Sequence, residues 1–241
     1  MKKALFLLML VVILITACIG SPTPTPVPTA TAADADPFGS VRVHIEQLVA
    51  DGEVPSMAIA VARDGEIIWE EGFGLVDRER SIPATEHTSY PLASISKPLT
   101  ATGLMILVER GLVNLDSPIN DYLGDVKLQA RVGDAAEATV RRVASHTSGL
   151  PLHAPHFYSD ELYGPPPMDE TIHHYGNLVT APGERYQYSN LGYGLLGNVI
   201  SRLSGESYTD FMHEEVFVPL GMDHTSVYVG PSLEDGQAVK Y

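Results

Sequence analysis

A serine three residues ahead of a lysine can do acyl-transfer chemistry, and the stretch PLASISKPLTA, residues 91–101, carries such a pair in Ser94 and Lys97. On a helix, residues i and i+3 share a face, so the amine would lie beside the hydroxyl. A helix is expected here, because Ile95, Leu99, Thr102, Leu104, Ile106, Leu107 and Leu112 form an apolar series. Pro98 fits only if that helix has just begun, since its missing N–H must fall among the unbonded first-turn groups. Ser94 is thereby placed at the helix N-terminus and Lys97 in the first turn. The free N–H groups and positive potential of that terminus favour a developing oxyanion. An amine partly desolvated there can accept the serine proton. The spacing alone is weak: it arises by chance in roughly one chain in three of this composition. A serine cap with a solvated lysine explains it as well.

A second polar group strengthens the pair. Tyr188-Ser189-Asn190 stands just before another apolar series, Leu191, Leu195, Leu196, Val199, Ile200 and Leu203, which Gly205 closes. Tyrosine, serine and asparagine suit a loop that presents polar groups to a cleft better than a helix interior. Tyr175-Gly176-Asn177 repeats the Tyr-x-Asn spacing without a comparable helix after it, and is read as a decoy.

The elements that must position these groups are legible in outline. VRVHIEQLVADG places Val41, Ile45, Leu48 and Val49 on one helical face, with Gly52 as the stop. VPSMAIAVARDGEIIWEEGFGLVD reads as two strands around Asp64-Gly65, a strong hairpin signal. Trp69 belongs to the strand core. DRERSIPATEHTSY, polar and rich in breakers, connects the hairpin to the Ser94 helix.

Composition sets the wider limits. The chain has 241 residues, 44% apolar and 19% charged, with a formal net charge of −15. That is enough for one good core. Its acidity opposes binding to phosphate backbones, so nucleic acid is not the expected partner. Lys2 and Lys3 precede an apolar run from Ala4 to Ala17, too short to span a bilayer comfortably and right for a signal peptide. The chain's one cysteine, Cys18, ends the sequence ITAC, which resembles a bacterial lipobox; the resemblance implies lipidation at Cys18 and attachment to the cell envelope, facing outward. The alternative is an ordinary signal peptide with Cys18 incidental. The Thr/Pro-rich segment that follows favours extended geometry and would hold a domain roughly 50 Å from a membrane. The expected division is a signal peptide over 1–17, a linker over 18–37 and one folded domain over 38–241.

Ser-x-x-Lys at Ser94–Lys97, followed by Tyr188-Ser189-Asn190, resembles the serine beta-lactamase and penicillin-binding protein superfamily, above all its class C branch. VASHTSGLP (143–151), APGERYQYSN (181–190) and VFVPLGMDHTS (216–226) are similar to segments of that family in the same order. The resemblance implies an α/β (α+β) fold of the beta-lactamase/transpeptidase type: an antiparallel sheet flanked by helices, plus an all-helical subdomain. It implies Ser94 as acylated nucleophile, with its own N–H in the oxyanion hole. Lys97 would assist deprotonation, Tyr188 would be the second base or acid, and Asn190 would bind the substrate amide. No cofactor is implied.

One departure stands out. The family's third motif, Lys-Thr-Gly or His-x-Gly on a strand lining the cleft, has no counterpart between Asn190 and Tyr241. The expectation is a chain lacking its C-terminal strands, with the opening hairpin left without sheet partners. Two functions therefore stay open: a tethered hydrolase cleaving an amide or ester through a Ser94 acyl-enzyme, or a non-turnover binder of beta-lactam or peptide. His146 is expected to close a helix and turn. His153, His156, His173 and His174 lack a third ligand at recognisable spacing and give no metal site. The turn-rich stretch 153–170 is a cleft wall or a plain surface loop.

Overall fold

The computed structural model describes residues 36–152 and 166–228. The signal-peptide, linker and Cys18 readings, His153, His156, most of the 153–170 stretch and the C-terminal AVKY lie outside the described residues. The chain divides into two units, Met1–Leu48 and Val49–Tyr241.

Of the first unit, the described part is the start of helix α1, Gly39–Ala50, whose last two residues belong to the second unit. Asp36 opens it by accepting from the Phe38 N–H at 2.9 Å and pairing with Arg42. Ile45 is buried as its spacing predicts, whereas Val41, in the first turn, is 42% exposed.

The second unit begins with a three-stranded antiparallel sheet: β1 (Ser56–Arg63), β2 (Glu66–Asp77) and β3 (Ile82–Pro83), in the order β1-β2-β3. Arg63 pairs with Glu66 across a two-residue turn in which Asp64 and Gly65 both have positive φ, 54° and 85°. This is the left-handed turn that Asp-Gly favours because its twist matches the strands. A bulge shifts the register between Val61 and Ala62. Trp69 and Phe73 are buried and meet edge to face at 6.4 Å, as the strand-core reading of Trp69 requires. The connecting segment holds a strand the sequence did not announce. Two residues of β3 are too few for a period, and their pairing with Leu75 and Asp77 follows from the turn that Asp77 closes on Arg80 at 2.8 Å.

The helical body follows. Helix α2 is Ser96–Glu109; short strand β4 (Gln129–Ala130) and helix α3 (Val140–Ala144) come next. Helix α4 (Met168–Tyr175) leads to strand β5 (Asn177–Leu178), parallel to β4, and then to α5 (Asn190–Ser204) and α6 (Tyr208–Met212). The buried stripe of α2 is Thr100, Gly103, Leu104 and Leu107, at i, i+3, i+4 and i+7. Ile95 and Leu112, expected on that apolar face, are 66% and 46% exposed. The first precedes α2, and the second lies beyond Gly111, whose φ of 71° ends it. On α5 the expected Leu191, Leu195, Leu196, Val199 and Ile200 are all buried, and Gly205 closes the helix in the left-handed region at φ 78°. Gly103 lets α2 approach its neighbours: a Cβ there would sit 2.8 Å from Met212 Sδ. Each Leu or Ile fully buried in this core contributes about 2 kcal/mol of transfer free energy.

The result is a mixed α/β fold with an antiparallel sheet and a helical body, as the sequence implies.

Candidate active site

Two helix starts converge on one point. Ser94 lies in a single 3-10 turn, Ala93–Ile95, that runs directly into α2, so Lys97 sits in the first turn of the helix with Pro98 beside it. Ala93 is in the left-handed region at φ 46°, a conformation that costs a residue with a Cβ about 1 kcal/mol. It lifts the next residue, Ser94, into an exposed position. At the other start, Ser189 is the N-cap of α5. Its hydroxyl accepts from Gly192 N–H at 3.0 Å and donates to the Pro151 carbonyl at 2.7 Å. Buried and bonded at both ends, Ser189 fixes its two neighbours, Tyr188 and Asn190.

The four residues singled out by spacing meet. Tyr188 OH lies 2.7 Å from Ser94 Oγ. Lys97 Nζ donates to Ser94 Oγ at 3.2 Å and to Asn190 Oδ1 at 2.7 Å. The ammonium also lies 4.7 Å from the Tyr188 ring centre and 5.7 Å from that of Tyr193, within cation–π range. Hydrogen bonding from Lys97 and then from Ser94, with the lysine's charge added, holds the Tyr188 phenol below the usual tyrosine range. Burial pushes the Tyr193 phenol the other way. The two tyrosines are thus set apart, with ionisation favoured at Tyr188.

The decoy stands apart. Tyr175 ends α4 and is 40% exposed, and the Asn177 carboxamide accepts from Arg131 Nε at 2.9 Å. His173 and His174 make a ring contact on α4 at 5.2 Å. Among the described residues no group of three or more His, Cys, Asp or Glu side chains could hold a metal.

His146 does more than the sequence promised. It closes α3, as expected: the His146 N–H bonds the Val143 carbonyl at 3.2 Å and the Thr147 N–H bonds that of Arg142 at 2.8 Å. These are the paired bonds of a Schellman ending. The left-handed position of that motif usually holds glycine, and here a histidine takes it at φ 59°. Its imidazole is buried against Tyr188, with ring centres 4.4 Å apart. A histidine at a glycine position was the one available sequence signal. What the ring touches, 43 positions on, was not readable.

A hydroxyl, a cation, a phenol disposed to ionise and a carboxamide thus stand together at two helix starts of a mixed α/β fold. The chain belongs to the beta-lactamase family, which it matches over residues 41–241. Among curated proteins it is 30% identical to penicillin-binding protein 4* of Bacillus subtilis, over 76% of this chain and 41% of that protein. It is 27% identical to protein flp of Staphylococcus aureus, over 82% of this chain and 40% of that protein. Among solved structures it resembles a class C beta-lactamase with a TM-score of 0.71 at 26% identity, covering 87% of this chain and 55% of that one. D-amino acid amidase from Ochrobactrum anthropi gives 0.69 at 28% identity, covering 83% and 54%. The chain spans about two fifths of the length of these curated relatives.

Proposed function

We propose that the protein cleaves an amide or ester bond through an acyl-enzyme on Ser94. One observation carries the reading: the Ser94 hydroxyl is within hydrogen-bond reach of both Tyr188 OH and Lys97 Nζ. With Tyr188 ionised, the Ser94 O–H donates to the phenolate, and the proton moves to Tyr188 as Oγ bonds the substrate carbonyl carbon. The C–N or C–O bond then breaks, and Tyr188 returns the proton to the leaving amine or alcohol. Water completes the cycle by the same route: Tyr188 takes its proton and Ser94 recovers one as the acyl group leaves. Lys97 favours the phenolate by hydrogen bond and charge and fixes Asn190 through its carbonyl oxygen. The N–H of Ser94, in the turn that leads into α2, is the donor that the family resemblance assigns to the developing oxyanion. Substrates of the kinds named for the relatives fit this chemistry, beta-lactams and D-amino acid amides, and an ester would react by the same route.

The test is intact-mass measurement after exposure to a fluorophosphonate and, separately, to a beta-lactam. The expected result is a single adduct on Ser94 that Ser94→Ala abolishes without changing the melting temperature. Equal labelling in the variant would reject Ser94 as nucleophile. A beta-lactam adduct that forms and persists would favour a non-turnover binder, since the fluorophosphonate adduct is irreversible in either case.

The reading includes a tether at Cys18, supported by the lipobox resemblance. Cys18→Ala should abolish incorporation of an alkyne fatty acid by the expressing bacterium; incorporation that survives rejects the anchor.

A further inference from the structure

One residue grips both neighbours of Tyr188. The His146 carbonyl accepts from the Gln187 N–H at 2.7 Å. The Nδ1 of the same residue accepts from the Ser189 N–H at 3.1 Å. The imidazole plane lies over the phenol between them, tilted by 35° with centres 4.4 Å apart. Tyr188 is thus held from before, behind and above by a single side chain and its own backbone. Holding it there requires the left-handed φ of 59°, a conformation that a residue with a Cβ adopts only when its surroundings enforce it. Glycine would close α3 without that strain, but it has no ring. The strained histidine therefore serves something other than the helix ending.

We infer that His146 is a positioning residue for Tyr188, acting through an unprotonated Nδ1. The inference rests on Tyr188 being the base of the proposed reaction. The neutral ring must carry its hydrogen on Nε2, because Nδ1 faces a donor. Protonation would turn Nδ1 into a donor aimed at the Ser189 N–H, which breaks the bond and frees the segment that carries Tyr188 and Asn190. It would also place a second cation beside Lys97. The groups facing the ring are Lys97 from α2, Tyr186 and Tyr188 from the segment before α5, and Tyr193 from α5. Of these only the Tyr188 phenolate would favour the imidazolium, and Lys97, 4.7 Å from the phenol ring, opposes it. Burial first, and the Lys97 charge second, hold His146 below the ordinary histidine value. The neutral form therefore prevails at neutral pH, and the positioning bond is lost only as the medium becomes acidic.

Two variants separate positioning from helix closure. In asparagine, Oδ1 takes nearly the place of Nδ1, cannot be protonated, and tolerates the left-handed position. Glycine suits the helix ending but supplies no acceptor. In the full chain, His146→Asn should react with a fluorophosphonate within about threefold of wild type near pH 8, while His146→Gly should lose roughly tenfold or more. As pH falls toward 5, the rate of His146→Asn relative to wild type should rise, because only the wild type loses its acceptor. Equal rates for both variants and wild type, or an unchanged acid limb in His146→Asn, overturn the inference.

A second measurement does not depend on turnover. In the full chain labelled with nitrogen-15 histidine, the ring should show Nε2–H and a bare Nδ1 near neutral pH. The Ser189 amide resonance should move with the ring's titration and stay flat in His146→Asn. A proton on Nδ1, or a Ser189 amide indifferent to the titration, overturns the placement whatever the kinetics show. If wild-type Ser94 never reacts, the hydrolase reading fails, and the ring and amide resonances alone decide whether His146 holds Tyr188.

Discussion

The three-stranded sheet and the helical body hold together by different means. Eight residues of β1 pair with β2, yet Ile67 and Ile68 are 61% and 40% exposed and no residue of β1 is fully buried. In the helical body Leu107, Leu195, Leu196 and Ile200 are all at 0% exposure. The sheet is secured mainly by backbone bonds, which fix register but leave side chains free at its surface. The helical body is secured by close packing, which fixes the side chains themselves. The candidate site needs four side-chain atoms within about 3 Å of their partners, and it stands at two helix starts in the packed region. The sheet delivers the chain to Ala93; the helices set the chemistry.

The largest effect that would sharpen this contrast is at the site. Lys97→Gln removes the hydrogen bond and the charge that favour Tyr188 ionisation. Fluorophosphonate labelling should fall by roughly a hundredfold or more at neutral pH, since the two groups act as a unit. The sign is fixed. A phenol held below its usual value is active from lower pH upward, so the variant's labelling should recover only at higher pH. Absorbance near 295 nm, read against Tyr188→Phe, should show the Tyr188 midpoint moving up; a midpoint that stays put would separate Lys97 from the tyrosine.

Next in size is stability. Leu195→Ala leaves a cavity in a packed core and should cost about 3 kcal/mol in urea unfolding. Ile67→Ala, on the exposed sheet surface, should stay within about 0.5 kcal/mol. Similar costs for the two would erase the contrast between the regions. The smallest effect is a gain. A Cβ at Gly197 would meet only the Tyr208 ring, at an ordinary 3.5 Å. Gly197→Ala in mid-helix should therefore raise stability by about 0.5–1 kcal/mol. A loss would mean that α5 is packed more tightly there than its contacts indicate.

What the sequence disclosed divides along the same line. Ser94, Lys97, Tyr188 and Asn190 were legible because each is tied to a helix start, and helix starts leave local marks: Pro98, a serine cap, an apolar period. The hairpin was legible from Asp64-Gly65 alone. Strand β3 was not, since two residues have no period. Ile95 and Leu112 were misplaced because periodicity reports a face but not where a helix begins and ends. The bond from Ser189 to His146 joins residues 43 apart, and no local rule spans that distance. The same holds for the pairing of β4 with β5, which joins residues 130 and 178.

The left-handed backbone at His146 also limits how the protein can drift. Histidine codons reach tyrosine, asparagine, aspartate, leucine, proline, arginine and glutamine by one nucleotide change. Of these, only asparagine and aspartate sit comfortably at positive φ. Glycine, the residue most at home in that backbone, is two changes away. A lineage leaving histidine here would therefore pass through asparagine, which retains an acceptor for the Ser189 amide, or through aspartate, which sets a negative charge beside Lys97. The helix ending thus confines inheritance at this position to residues that still reach across to the tyrosine loop.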